Sequence, residues 1–214
     1  MAENNEPKSI GKEIWEWVYT IAIALAIALV IKAFIFDIVK VDGSSMFPTL
    51  IDGDRLIVTK LGYKPKQGDI IILDSTYKKR NTYYEELAKS EGKESLNFFE
   101  KLSANKSFSE DMKKRYYVKR VIATPGQTVD LIDGKVYIDG EIYDEPYYEG
   151  ITSPIDSAME FPVTVGDDMV FVMGDNRPRS KDSRSSDLGL VPYKAVLGKS
   201  QVRIWPVNAI GLTK

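Results

Sequence analysis

The chain has 214 residues, with 29 Lys and Arg against 31 Asp and Glu, and its formal charge of −2 gives no electrostatic case for a nucleic-acid partner. It contains neither cysteine nor histidine, which excludes disulfides, thiolate nucleophiles, Ser-His-Asp triads, Cys-His pairs and histidine-based zinc sites. Any acyl-transfer chemistry must therefore find its base among Lys, Asp, Glu, Tyr or a terminal amine.

Residues 1–16 are polar and mixed in charge, with Pro7 and Gly11, and predict a short, loosely ordered tail. From Trp17 to Phe36 the chain is apolar except for Thr20 and Lys32. About twenty such residues match a membrane-spanning helix. Trp15, Trp17 and Tyr19 suit the headgroup zone at one end, and Lys32 can snorkel at the other. A cleaved signal peptide would have a shorter apolar core and a basic start. A buried core helix would show a polar face, and this run has none. Lys8 and Lys12 are offset by Glu13 and Glu16, so the positive-inside rule gives only a slight push toward a cytoplasmic N-terminus.

Next comes Gly43-Ser44-Ser45-Met46-Phe47-Pro48-Thr49-Leu50. Gly43 can take φ > 0, and Pro48 fixes its own φ and keeps Phe47 extended, so this is a tight, stiff loop. It could hold a hydroxyl still beside a membrane, or be an ordinary turn. Residues 53–58 lead from a polar turn into a β run, and Ile70-Ile71-Ile72-Leu73 reads as a strand buried on both faces.

Residues 75–115 change character. They are rich in Lys, Glu, Ser and Asn, and carry Tyr83, Tyr84, Phe98 and Phe99. Helical composition over 82–102, interrupted by Gly92, predicts an exposed, partly helical insertion, either a solvated decoration or a partner-binding surface. Tyr116 to Ala123 returns to a strand, with Tyr117, Lys119 and Val121 on one face and Val118, Arg120 and Ile122 on the other. Bulky apolar neighbours on both faces predict that one of Lys119 and Arg120 points into a partly enclosed place.

Asp133-Gly134 and Asp139-Gly140 are hairpin signals within a small β subdomain predicted over 127–167. Residues 168–173 and 197–205 read as further strands, and no solenoid repeat appears. Between them, residues 174–184 form a polar run directly after an apolar strand, which suggests a buttressed loop. Asp182 and Arg184, two apart and opposite in sign, could hold it by an ion pair.

A serine hydroxyl is a poor nucleophile until something takes its proton. Without histidine a lysine amine can do so, but only when neutral. Burial in an apolar setting lowers the lysine pKa by disfavouring the ammonium. The 116–123 strand offers such a setting, and Lys119 is the candidate.

Four ordered blocks behind one apolar helix make the chain resemble a type I signal peptidase of the Gram-positive-like branch, a membrane-anchored Ser-Lys endopeptidase. They are residues 43–50, 53–55 through 68–70, 117–126, and Gly174-Asp175-Asn176-Arg177 with Ser180-Lys181-Asp182-Ser183-Arg184. The resemblance covers the helix and nearly everything after it except 75–115. It implies a mostly β fold: an antiparallel β-sheet catalytic domain, one N-terminal transmembrane helix and a partly helical insertion. It implies a cytoplasmic tail (1–16), a transmembrane helix (17–36) and an extracytoplasmic peptidase domain (37–214).

The resemblance implies roles as well. Ser45, directly before Met46, matches the nucleophile and Ser44 does not; Lys119 matches the general base. Ser180 matches a serine that hydrogen-bonds and orients the lysine. Asp182 and Arg184 match a supporting charged pair. The Ser45 N–H would form part of an oxyanion hole. Gly43 stands where some relatives carry a second hydroxyl donor, and Pro178-Arg179 stands where Asp-Asn is common. The implied substrates are secretory preproteins with small residues before the cut, met at a lipid bilayer in the plasma membrane, with no metal or organic cofactor and no nucleic acid. Two rivals are a self-cleaving Ser-Lys peptidase of repressor type and a catalytically idle, membrane-anchored β module that binds secretory partners.

Overall fold

The computed structural model describes residues 10–213. Part of the predicted polar tail, residues 1–9, lies outside the described residues. Helix α1 (Ile10–Phe34) begins before the apolar run and takes in residues 10–16. Glu13 in its first turn and Lys32 in its last complement the helix dipole. Within it, Gly11–Lys32 is the one stretch, among the described residues, long and apolar enough to cross a membrane. Apart from Ala33, whose side chain is not described, its side chains from residue 11 to 34 are exposed.

The rest is mostly antiparallel β. Strands β1 (Phe36–Lys40), β2 (Arg55–Thr59), β3 (Ile70–Asp74) and β4 (Tyr116–Ala123) come first. A small set follows: β5 (Thr128–Ile132), β6 (Lys135–Ile138), β7 (Glu141–Ile142) and β8 (Val163–Thr164). The chain then returns through β9 (Met169–Met173), β10 (Val191–Pro192), β11 (Val196–Trp205) and β12 (Gly211–Leu212). The large sheet has the order β1-β2-β11-β3-β4-β9-β10, with β12 also on β11, and the small one has the order β7-β6-β5-β8.

All five residues of β3 are buried. One face (Ile71, Leu73) packs with Val121 and Val172, and the other (Ile70, Ile72) packs with Leu56, Val58 and Met46. A strand between two cores has no polar face to show, which is why it reads as a continuous apolar run. The small sheet is not separate in its packing. Val129, Val136 and Ile138 share a core with Ile122, Phe171 and Met173 of the large sheet. Both Asp-Gly pairs turn hairpins there, with φ of 50° and 76° at Asp133-Gly134 and 54° and 84° at Asp139-Gly140. Two adjacent positive φ values are what a tight primed turn requires.

Between β3 and β4 the chain forms helix α2 (Tyr77–Ser90) and helix α3 (Phe98–Ala104). Asn97 and Glu100 form a reciprocal capping box at the start of α3. The insertion is fastened at its base, where the buried Arg80 guanidinium binds Asp74 and Thr76. Phe98 and Phe99 at its far end are exposed.

Candidate functional site

The 43–50 loop leaves β1 and is pinned from beneath. Met46 and Leu50 are each 1% exposed and sit in the core with Leu56 and Val58. Gly43 has φ +88°, a conformation costly for any residue with a Cβ, and its N–H donates to Asp52 Oδ1 at 2.8 Å. The Phe47-Pro48 peptide is cis. With its apolar residues turned inward, the loop leaves Ser44 and Ser45 half-buried at a cleft.

Lys119 comes from the opposite wall. It pairs with Ile71 in the sheet and is 3% exposed. Its Nζ lies 2.8 Å from Ser45 Oγ and 3.1 Å from the Val118 carbonyl. Burial pushes the amine down from 10.5 to about 8, against the pull of Asp182 and Asp175 and with help from Arg184. Burial prevails because each carboxylate already has its own cation. Arg184 grips Asp182 with Nε at 2.8 Å and a second nitrogen at 2.9 Å. Arg120 grips Asp175 at 2.9 and 2.6 Å. These forked pairs leave little net negative charge to hold a proton on the lysine.

Both lysine and arginine of the 116–123 strand are enclosed, not one of them. Arg120 points to the face opposite Lys119, and its guanidinium lies 4.0 Å over the Tyr147 ring. Asp182 is fully buried and also accepts the Gly174 N–H at 3.0 Å, while Arg184 reaches the Arg177 carbonyl at 2.8 Å. The pair therefore ties both ends of the 174–184 loop together.

Ser180 requires a correction. It is buried, as a site residue would be, but its Oγ has no hydrogen-bond partner, so the expected bond to Lys119 is not made. The side chain is folded against Gly174, where a Cβ would collide with Ser180 Oγ and with the Ser45 carbonyl. The amine meanwhile is engaged by Ser45 and the Val118 carbonyl.

The sequence reading missed several supports. Asn176 donates its backbone N–H to the Ser45 carbonyl and its side-chain Nδ2 to the Ser44 carbonyl, both at 3.0 Å. Thr49 Oγ1 donates to Asp175 Oδ2 at 2.5 Å. Gly174 allows the close approach. Asn176 and Gly174 lie in the polar loop already singled out, and a run of fixed polar residues after a buried strand was the available signal.

The cleft has a volume of roughly 500 Å³ and lies between the end of β1, the serine loop and the start of β4, with Arg179 and Lys181 at its rim. β1 is an edge strand. β4 pairs with β9 only from Arg120 onward, so residues 116–119 are bonded on the β3 side alone. Two backbone edges thus border the same cleft. Among the described residues, no cluster of His, Cys, Asp or Glu could hold a metal ion.

Antiparallel sheets with a serine hydroxyl against a buried amine at an open cleft are an arrangement suited to a serine-type peptidase. A profile of the signal peptidase, peptidase S26 family matches residues 14–205, and the chain belongs to that family. It is 38% identical to signal peptidase I of Bacillus licheniformis, covering 97% of this chain and 98% of that protein. It is 35% identical to signal peptidase I T of Bacillus subtilis (strain 168), covering 93% and 89%. A crystal structure of a signal peptidase I from Enterococcus faecalis aligns with 64% of this chain and 97% of that one, at 25% identity and a TM-score of 0.38.

Proposed function

We propose that this chain is a membrane-anchored signal peptidase that cuts signal peptides from exported preproteins, with Ser45 as nucleophile and Lys119 as general base. The observation that carries this reading is the 2.8 Å contact between Ser45 Oγ and a buried lysine amine. Lowering that amine from 10.5 to about 8 raises its neutral fraction near pH 7 on the order of 300-fold.

The substrate enters as an extended segment between the free edges of β1 and β4, where backbone bonds hold it and shallow walls at Val39 and Val118 accept small side chains. Ser45 Oγ attacks the scissile carbonyl carbon while its proton passes to Lys119 Nζ. The carbonyl π pair moves to oxygen, and the Ser45 N–H stabilises that oxyanion. The intermediate then collapses, the C–N bond breaks, and the lysine ammonium returns the proton to the leaving amine. A water deprotonated by the same amine attacks the ester carbon, the C–Oγ bond breaks, and the lysine ammonium returns the proton to Ser45 Oγ. No resident metal or organic group takes part. The Asp182–Arg184 and Asp175–Arg120 pairs hold the walls, and Gly43 sets the entry of the serine loop.

Placement at a membrane surface is supported by α1 and by the sheet that follows it. Ile38, Ile57, Val202 and Leu212 stand in one row across β1, β2, β11 and β12, and Ile38 and Leu212 are 63% and 71% exposed. An apolar sheet face that begins four residues after the helix suits the bilayer interface. On this reading the N-terminus lies in the cytoplasm and the β domain outside, where export substrates emerge. The span then runs over Gly11–Lys32 and not 17–36, because Phe36 already pairs with Thr59 in β1, and the peptidase follows it with 75–115 and 127–167 as additions.

Cleavage of a signal-bearing precursor by the full chain in detergent tests the assignment. Ser45→Ala and Lys119→Met each abolish cleavage while circular dichroism stays unchanged, and Ser44→Ala is mild. Full activity in either of the first two removes the mechanism.

A further inference from the structure

The peptide unit that carries the nucleophile is gripped by a residue to which the chemistry above gives no task. Asn176 binds the carbonyls of Ser45, through its backbone N–H, and of Ser44, through Nδ2; the Ser44 oxygen also accepts the Phe47 N–H at 3.2 Å, within its own loop, and Asn176 at 3.0 Å is the hold from outside that loop. A carbonyl can only accept, so the amide nitrogen of Asn176 faces Ser44. Asn176 is itself immobilised. Its carbonyl accepts the Arg179 N–H at 3.0 Å, and its neighbour Asp175 is bound by Arg120 and Thr49. On the other side, Gly174 brings this loop so close to the Ser45 carbonyl that a Cβ would not fit.

The Ser44–Ser45 peptide is trans, so its C=O and N–H point to opposite sides of one rigid plane. Fixing the Ser44 oxygen therefore fixes where the Ser45 N–H aims: away from the Asn176 loop and toward the cleft that both serines line. We infer that Asn176 is a positioning residue for the oxyanion site, holding the Ser45 N–H in line with the developing charge. A hydrogen bond accepted at the Ser44 carbonyl also polarises that amide and strengthens its N–H as a donor. The role weighs more in this chain because Gly43 supplies no hydroxyl beside it. The inference rests on the Ser45–Lys119 reading above and adds a group that reading does not contain.

The test uses the full chain in detergent micelles with three probes. These are a cleavable precursor peptide, a peptide aldehyde with the same residues before the cut, and the cleaved signal fragment as a ground-state ligand. Asn176→Ala removes the side-chain donor. Asn176→Asp keeps the volume and the backbone N–H but sets acceptors against the Ser44 oxygen. For both, kcat falls about 10- to 100-fold, less than the roughly 10²–10³ that loss of a donor costs, because the N–H is misaimed and not removed. KM and fragment binding stay within about twofold, the pattern of an interaction made only in the transition state. The aldehyde, whose adduct with Ser45 places an oxyanion at the same spot, weakens by the same factor as kcat/KM. In Asn176→Ala the pH profile keeps its rise near 8, because no charge near Lys119 changes; in Asn176→Asp the added carboxylate, like Asp175 and Asp182, moves the rise upward.

A loss that lies in KM, an unchanged aldehyde affinity, a displaced pH profile in Asn176→Ala or a wild-type kcat each overturns the inference, and so does failure of both variants to fold. Ser45→Ala run in parallel separates the two levels. If it remains active, the nucleophile assignment fails; if it is dead while the Asn176 variants match wild type, only the role of Asn176 fails.

Discussion

Replacing Lys119 by Met, expected on the proposed mechanism to stop cleavage, should also make the protein more stable. Lys119 is 3% exposed, and burial lowers its amine from 10.5 to about 8. Each unit of that difference corresponds to about 1.4 kcal/mol, so the native state gives up about 3 kcal/mol by keeping an ammonium there at neutral pH. The folded value lies below the unfolded one. The unfolded chain therefore binds more protons between the two, and stability rises with pH across the window from about 8 to 10.5. Methionine fills a similar volume without charge. For a chain of this size about 3 kcal/mol is worth roughly 6–12 °C in Tm. The expected result is a Lys119→Met chain that melts that much higher than wild type at pH 6–7. The advantage should shrink to about half near pH 9.3, midway between the two values. Differential scanning fluorimetry in detergent across that range reads both numbers. A Tm difference of zero, or one that does not change with pH, would refute the claim that a charge is buried at a cost in this site.

The remaining expectations concern the same walls. Cleavage by the wild-type chain rises through an apparent pKa of about 8, read from initial rates against pH, and a profile centred near the free-lysine 10.5 contradicts it. Asp182→Asn strands Arg184 in the interior, costs about 3–5 kcal/mol in chemical denaturation, and moves the pH profile of any surviving activity below 8, because one raising influence on Lys119 is gone and Arg184 is left to lower it. Gly174→Ala, whose methyl would meet Ser180 Oγ and the Ser45 carbonyl, lowers kcat by displacing the serine loop, measured on the precursor at saturating substrate. Ser180→Ala removes a buried hydroxyl without a partner and leaves Tm unchanged or raises it, whereas a Tm drop of several degrees would point to a bond this structure lacks.

Local grammar made much of this fold legible. The doubly buried β3, the two Asp-Gly hairpins and the apolar helix all follow from periods and turn residues that act within a few positions. The helix begins at Ile10 because Lys12, Glu13 and Glu16 are as content in a helix as in a tail. The contact that defines the site was less accessible. Ser45 and Lys119 lie 74 residues apart, and only the absence of histidine together with ordered motif blocks pointed to their meeting. Asn176 was invisible in its role, because a residue that grips backbone carbonyls leaves no complementary side chain elsewhere in the sequence. Ser180 shows the reverse: motif position placed it in the site, but which bond a buried hydroxyl makes depends on rotamer and packing, which motif position does not encode.

Ser45 follows Phe34, the last residue of α1, by only eleven positions, five of them laid out straight in β1. Even fully extended, such a stretch reaches no more than about 40 Å. With the helix across a bilayer, the Ser45 oxygen is leashed within that reach of the lipid, as a blade is limited by the length of its mount. Precursors would then be sorted by how far their scissile bond rises out of the membrane, before any side chain is inspected.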